Sequence, residues 1–120
     1  MSDQFQPTRE TATLARPASG TARLNQSAVD WQDTGVPGFE TKPLYEAASG
    51  EMTMLMKIAP GAFSEAHAHE TVEEIYVLEG SFFDDENSYE PGDLIIRAPG
   101  AMHTAGSKSG ALVLLKFSPG

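Results

Sequence analysis

The chain is 120 residues long, 40% hydrophobic and 21% charged, which is one domain's worth of ordinary globular sequence. It carries 17 acidic against 8 basic side chains, a net charge of −9, and no cysteine. Disulfide scaffolds, thiolate metal sites and cysteine nucleophiles are excluded, and nucleic acid and anionic membranes are disfavoured as partners because both need a basic footprint.

Residues 1–30 hold Asp3, Glu10 and Asp30 against Arg9, Arg16 and Arg23, which sum to zero. The whole excess of acid therefore falls in residues 31–120. The first residues are rich in Thr, Ala, Ser and Gln without a sustained period. Residues 1–24 are read as a flexible or loosely docked arm, with pairing to a neighbouring subunit's sheet edge as the alternative. Met1–Gly20 has no apolar core of the signal-peptide kind, and no apolar stretch approaches the roughly 20 residues a spanning helix needs. A cytoplasmic protein is expected.

Residues 25–120 read as one all-β domain. Turn signals recur at Gly35–Gly38, Ser49-Gly50, Pro60-Gly61, Gly80, Glu86-Asn87, Pro91-Gly92, Pro99-Gly100 and Gly106–Gly110. Met52–Ile58 alternates strictly, with Met52, Met54, Met56 and Ile58 on one face, expected to fill a core. Ile75–Leu78, Asp93–Arg97 and Ala111–Phe117 are the other clear strands, with Tyr76 and Phe83 read as packing residues. Many short strands at even spacing predict a sandwich or a jelly-roll barrel.

All three histidines fall near strand ends. His67 and His69 are spaced i, i+2, which on a strand places both imidazoles on one face. Glu73 follows after a turn-like stretch, and His103 comes after the strand that finishes at Arg97. Three imidazoles and a carboxylate suit Fe, Mn, Co, Ni, Cu or Zn better than Ca or Mg. A lone His-x-His is weak evidence, since single histidines are commonly surface or hydrogen-bonded residues. The gathering of every histidine in one segment pattern is what argues for a shared metal.

Gly61–Gly80 resembles the first motif of the cupin family, G-x5-H-x-H-x3-E-x6-G, without a gap. Gly92–Ser107 resembles the second, with Gly92, Gly100 and His103 in register. It departs from the pattern at Ala98, where the motif has Pro (here Pro99, one position later), and at Ser107, where it has Asn. The resemblance implies a small single-domain cupin barrel with His67, His69, Glu73 and His103 as metal ligands. Family spacing selects Glu73 over Glu74, which also alternates to the opposite face. More narrowly, Glu73–Asp93, Arg97–Thr104 and Ser109–Phe117 are similar to the ChrR-type cupins. That group includes the zinc-binding domain of an anti-sigma factor and stand-alone proteins similar to diketone and dihydroxyacetophenone dioxygenases. The chain has no room for a helical sigma-binding domain, so the anti-sigma role is not expected.

Two functions follow from the resemblance. One is a non-haem Fe(II)-dependent oxygenase acting on a small diketone-like or phenolic substrate, with Glu73 able to take a substrate proton. The other is a zinc-binding sensory or small-ligand-binding cupin, whose four protein ligands would close a tetrahedral shell. Mn or Ni would also suit the ligands, and a metal-free sugar-binding cupin is a third, lesser option. Arg97 is the one base between Lys57 and Lys108. It could anchor a carboxylate or enolate in the barrel; a surface arginine paired with one of the many acids is the commoner arrangement. Thr104 and Ser107 are candidate supports of the metal site. The family resemblance also implies a homodimer.

Overall fold

Strict alternation at Met52–Ile58 makes a strand of that whole segment, and its neighbours follow from what its inward face must bury. The computed structural model describes residues 13–120, so residues 1–12 of the expected arm lie outside the described residues. Ten strands are arranged in two antiparallel sheets, with a short 3-10 turn at Gln26–Ala28 and no α-helix among the described residues. The strands are β1 (Gln32–Asp33), β2 (Phe39–Glu46), β3 (Met52–Ile58), β4 (Phe63–His67), β5 (Val72–Gly80), β6 (Phe82–Phe83), β7 (Ser88–Tyr89), β8 (Leu94–Arg97), β9 (His103–Gly106) and β10 (Ala111–Ser118). The larger sheet runs β1-β2-β3-β10-β5-β8 and the smaller β4-β9-β6-β7. This is the all-β jelly-roll architecture expected from the spacing of turns. No helix among the described residues is long and apolar enough to cross a membrane.

The register stacks inward-facing side chains in layers across the larger sheet. Met52, Phe117, Glu73 and Arg97 form one layer by direct cross-strand pairing. Met54, Leu115, Ile75 and Ile95 form the next, and Thr41, Met56, Val113 and Val77 the third. Phe39, Ile58 and Ala111 close the far end. Only the first layer is charged. The buried core lies in the other three, with Val77, Val113, Leu115 and Ile58 almost fully enclosed. Period-2 alternation enforces this, because a one-residue slip would turn every apolar side chain outward.

Two glycines at strand ends are required by space. Gly80, which ends β5 at φ +71°, packs so tightly on the Gly110 backbone that an added Cβ would lie 2.0 Å from the Gly110 carbonyl oxygen. Gly106 faces the Phe83 ring, which a Cβ would meet at 2.6 Å. At the chain's described start, Leu14 makes a parallel bridge to Tyr45, and its N–H and C=O bond to Leu44 and Glu46 along the free edge of β2.

Some strands differ from the sequence reading. β2 carries Pro43 and alternates poorly, so periodicity alone did not mark it; a bulge between Pro43 and Tyr45 accommodates the ring. β5 begins at Val72, three residues before the strand start expected at Ile75, and takes in Glu73, which follows the turn as expected. Tyr76 is not a packing residue, since it is half-exposed on the outer face beside Leu94 and Ile96.

Candidate metal centre

Convergence of the histidines comes from the pairing of the two shorter strands. β4 and β9 are antiparallel, and their register places His67 directly opposite His103. His103 therefore opens a strand of the smaller sheet, where the sequence reading attached it to the end of the strand finishing at Arg97. His69 corrects a second expectation. β4 ends at His67, so the i, i+2 pair does not share a strand face. His69 sits in the following loop, held where its carbonyl accepts from Gly100 N–H at 2.7 Å. The rings still meet: centroid separations are 5.2 Å for His67–His69, 4.4 Å for His67–His103 and 5.8 Å for His69–His103. One ligand nitrogen from each lies within 4.8 Å of the others, a spacing that could hold a metal ion.

Hydrogen bonds fix which nitrogen faces the centre. His67 Nδ1 lies 2.9 Å from the Glu65 carbonyl and His103 Nδ1 lies 3.2 Å from the Ala101 carbonyl. A carbonyl can only accept, so both Nδ1 atoms carry the proton and both Nε2 lone pairs are left for a metal. Burial, reinforced by the nearby His67 and Arg97 charges, holds the His69 imidazole below its ordinary pKa. Burial likewise lowers His103 and, with smaller contributions from Arg97 and His67, outweighs what the Ala101 carbonyl and Glu73 restore. Neutral imidazoles are the form that binds metal.

Glu73 lies beside the three histidines, on β5. Its carboxylate oxygens lie 3.8 Å from His69 Nε2 and 3.6 Å from His103 Nε2. Burial pushes its pKa up, while its electrostatic interactions with His103, Arg97 and His67 oppose that push. Arg97 is not a surface residue. Its side chain is 12% exposed, with Nε 3.3 Å from Glu73 Oε1 and Nη2 3.0 Å from Asp84 Oδ2. These are charge contacts without well-aligned N–H bonds, so Glu73 Oε1 is a buried oxygen with no hydrogen-bond donor. A buried carboxylate oxygen left in this state, beside two lone pairs, is what a bound cation would satisfy. The residues therefore fit a transition metal in both donor chemistry and protonation.

Asp84 and Tyr89 belong to this network although the sequence did not point to them. Tyr89 Oη donates to Asp84 Oδ2 at 2.6 Å, and the Glu86 and Asn87 N–H groups donate to Oδ1 at 2.8 Å. Burial would raise Asp84, but these bonds and Arg97 outweigh it and bring its pKa down to about 2. Nothing in spacing or periodicity marks Asp84 among the ten acids between Ile58 and Ile96. Ser107 supports a turn instead of the metal group: its hydroxyl donates to the Ser81 carbonyl and accepts from Gly110 N–H. Thr104 N–H donates to Asp85.

The charged layer opens on a cavity of about 620 Å³ inside the barrel. Its wall includes the three histidines, Glu73 and Arg97 at one end and Met54, Met56, Ile75, Val113 and Leu115 beyond them. The methionine face is thus cavity wall as well as packing. Residues 19–119 match the family model of the ChrR cupin-like domain.

The chain belongs to the ChrR-type cupins. Solved structures agree. KdgF from Halomonas sp. is 28% identical, with a TM-score of 0.70 over 80% of this chain and 93% of that one. An RmlC-like cupin from Shewanella frigidimarina is 25% identical, with a TM-score of 0.69 over 77% of this chain and 85% of that one. The anti-sigma factor ChrR of Rhodobacter sphaeroides, solved in complex with SigE, is 24% identical, with a TM-score of 0.66. That match covers 74% of this chain but 49% of the ChrR chain, and at that identity it shows the fold alone. No curated protein sequence matches the chain. In this cupin, the two motif segments supply β4 with the His69 loop and β9, and the register of β5 adds Glu73 to them.

Proposed function

We propose that this cupin is a metal-dependent enzyme holding one divalent transition metal through His67, His69, Glu73 and His103. Iron is the metal of the reading, and the reaction is a non-haem Fe(II)-dependent oxygenation of a small diketone-like or phenolic substrate. The observation that carries it is a metal-competent group opening directly on a roomy apolar cavity. A site of that kind admits a ligand beside the metal, which a closed structural site has no use for. Bound iron would supply a Lewis acid for the substrate's oxygens and an electron donor for O₂.

The chain's own residues have separate tasks in this reading. His67 and His103 are aimed by their carbonyl partners. Glu73 is placed to accept the acidic proton of a diketone or phenol as the substrate reaches the metal, and its upward-pushed pKa makes it the better base. Arg97 is engaged by two carboxylates, so it positions Glu73 instead of anchoring a substrate anion. The aliphatic wall keeps water from the reacting end.

Similarity to the ChrR fold favours a second reading, a zinc-binding sensory module whose four ligands close the shell. Metal analysis of protein purified without a chelating tag, followed by O₂ uptake with a panel of diketones and phenols, separates the two. Stoichiometric iron with uptake supports the oxygenase. Stoichiometric zinc, with no uptake after Fe(II) reconstitution, overturns it. The same proposal includes a homodimer formed through the exposed apolar residues Tyr76, Leu78, Leu94 and Ile96. It also includes the cytoplasmic location expected from the sequence, which cell fractionation tests.

A further inference from the structure

The cavity is charged at one end only, and this restricts what can occupy it. The layer of Met52, Phe117, Glu73 and Arg97 carries all the formal charge that the larger sheet turns inward, and the three histidines face it from the smaller sheet and its loop. The next two layers present Met54, Leu115 and Ile75, then Met56 and Val113, to the cavity. Thr41 brings the one hydroxyl of those layers. Arg97 is the one Lys or Arg side chain in the wall, and it already faces two carboxylates at 3.3 and 3.0 Å. A second anionic end on a ligand would therefore be buried without a cationic partner, and the hydroxyls of Thr34, Thr41 and Ser64, the first already donating to the Phe39 carbonyl, are too few to satisfy a many-hydroxyl one.

We infer that the cavity selects one-ended ligands: molecules with a pair of oxygens at one end, an unsubstituted apolar chain or ring for the rest, and no second polar end. Sugar acids and dicarboxylates are rejected. The inference deepens the enzyme reading and rests on it for the polar end alone; the apolar end rests on the layers. Methionine at two adjacent layers, Met54 and Met56, makes the wall adaptable, so chain length matters more than exact shape.

A homologous series reads this directly. Isothermal calorimetry would compare pentane-2,4-dione through octane-2,4-dione, with glucuronate as the many-hydroxyl counterpart, on redox-inert zinc-loaded protein and on metal-free protein. The oxygen pair is constant across the series, so its slope reports the apolar layers. Affinity is expected to tighten about fourfold per methylene, the equivalent of about 0.8 kcal/mol, in both forms of the protein. Glucuronate is expected to bind more weakly than the shortest diketone. Met56→Gln, which keeps the side chain's length, should cut the gain of the last methylenes to about twofold or less. A flat series, or glucuronate as the tighter ligand, overturns the inference; if Met56→Gln does not fold, the wild-type slope decides alone. The two readings fail separately. Protein that takes up no zinc yet keeps the slope sinks the metal reading, and protein that binds zinc with no slope sinks this one.

Discussion

Asp84 is the residue on which the charged layer depends, although it is neither in a motif nor near the histidines in sequence. It accepts from Tyr89 and two backbone N–H groups and faces Arg97, which in turn faces Glu73. Its pKa is depressed from 3.8 to about 2, so its ionised form stabilises the fold above the unfolded value. That contribution is lost as pH falls from about 4 towards about 2 and amounts to something on the order of 2 kcal/mol. Asp84→Asn should therefore be less stable than wild type by about that much at pH 5, with the gap closing by about pH 2; denaturant titrations at several pH values measure it. The same variant leaves Arg97 with Glu73 as its sole close acid. Glu73 is then drawn more strongly to the guanidinium and less to the metal. Metal affinity, read by chelator competition, should fall about 10- to 100-fold, and the visible spectrum of Co(II)-loaded protein should shift. Unchanged affinity and spectrum would mean that the network serves folding alone.

At the scale of the element, legibility followed burial. β3, β5 and β10 bury one face, so their side chains alternate and their positions could be read within a few residues. β4 runs along the smaller sheet with Phe63 exposed and its other side chains at most half-buried, so it shows no alternation to read. The metal group was legible because histidine is rare here and its spacing is fixed by loops, yet the reason for the convergence was not. His67 and His69 meet through a strand end and a loop, and His103 reaches them through strand pairing across the sheet. The Arg97 partners were hidden for a similar reason, since Glu73 pairs with Arg97 only once β5 and β8 are in register. Gly80 was legible as a turn and its tight packing was not. Gly80→Ala must place a Cβ against the Gly110 backbone at positive φ, where neither side can yield cheaply. A loss of at least 2 kcal/mol, on the order expected for a strained backbone with a steric clash, is expected in thermal or denaturant unfolding. Gly61→Ala, also at positive φ but in open space, should cost less, about 1 kcal/mol.

For the whole molecule, the balance of charge and apolar surface decides how copies meet. β8 is an edge strand of the larger sheet, and its outward residues Leu94 and Ile96 are 59% and 61% exposed. Tyr76 pairs with Leu94 across β5 and β8, and Leu78 continues the same face, so four large apolar side chains lie together beside a strand edge that is unpaired among the described residues. Such an edge is a template for another strand unless it is covered, and covering it with a second copy hides both the edge and the apolar patch. The net charge of −9 opposes this, because two copies repel one another. The two terms respond differently to salt: screening weakens the repulsion at distances beyond about 10 Å at 0.1 M, while apolar burial persists. Sedimentation equilibrium should therefore show a dimer that tightens as sodium chloride is raised from low to moderate concentration. Leu94→Glu with Ile96→Glu should leave a folded monomer at every salt concentration, with metal uptake intact because neither side chain faces the cavity. A dimer that persists in the double variant would place the interface elsewhere on the barrel.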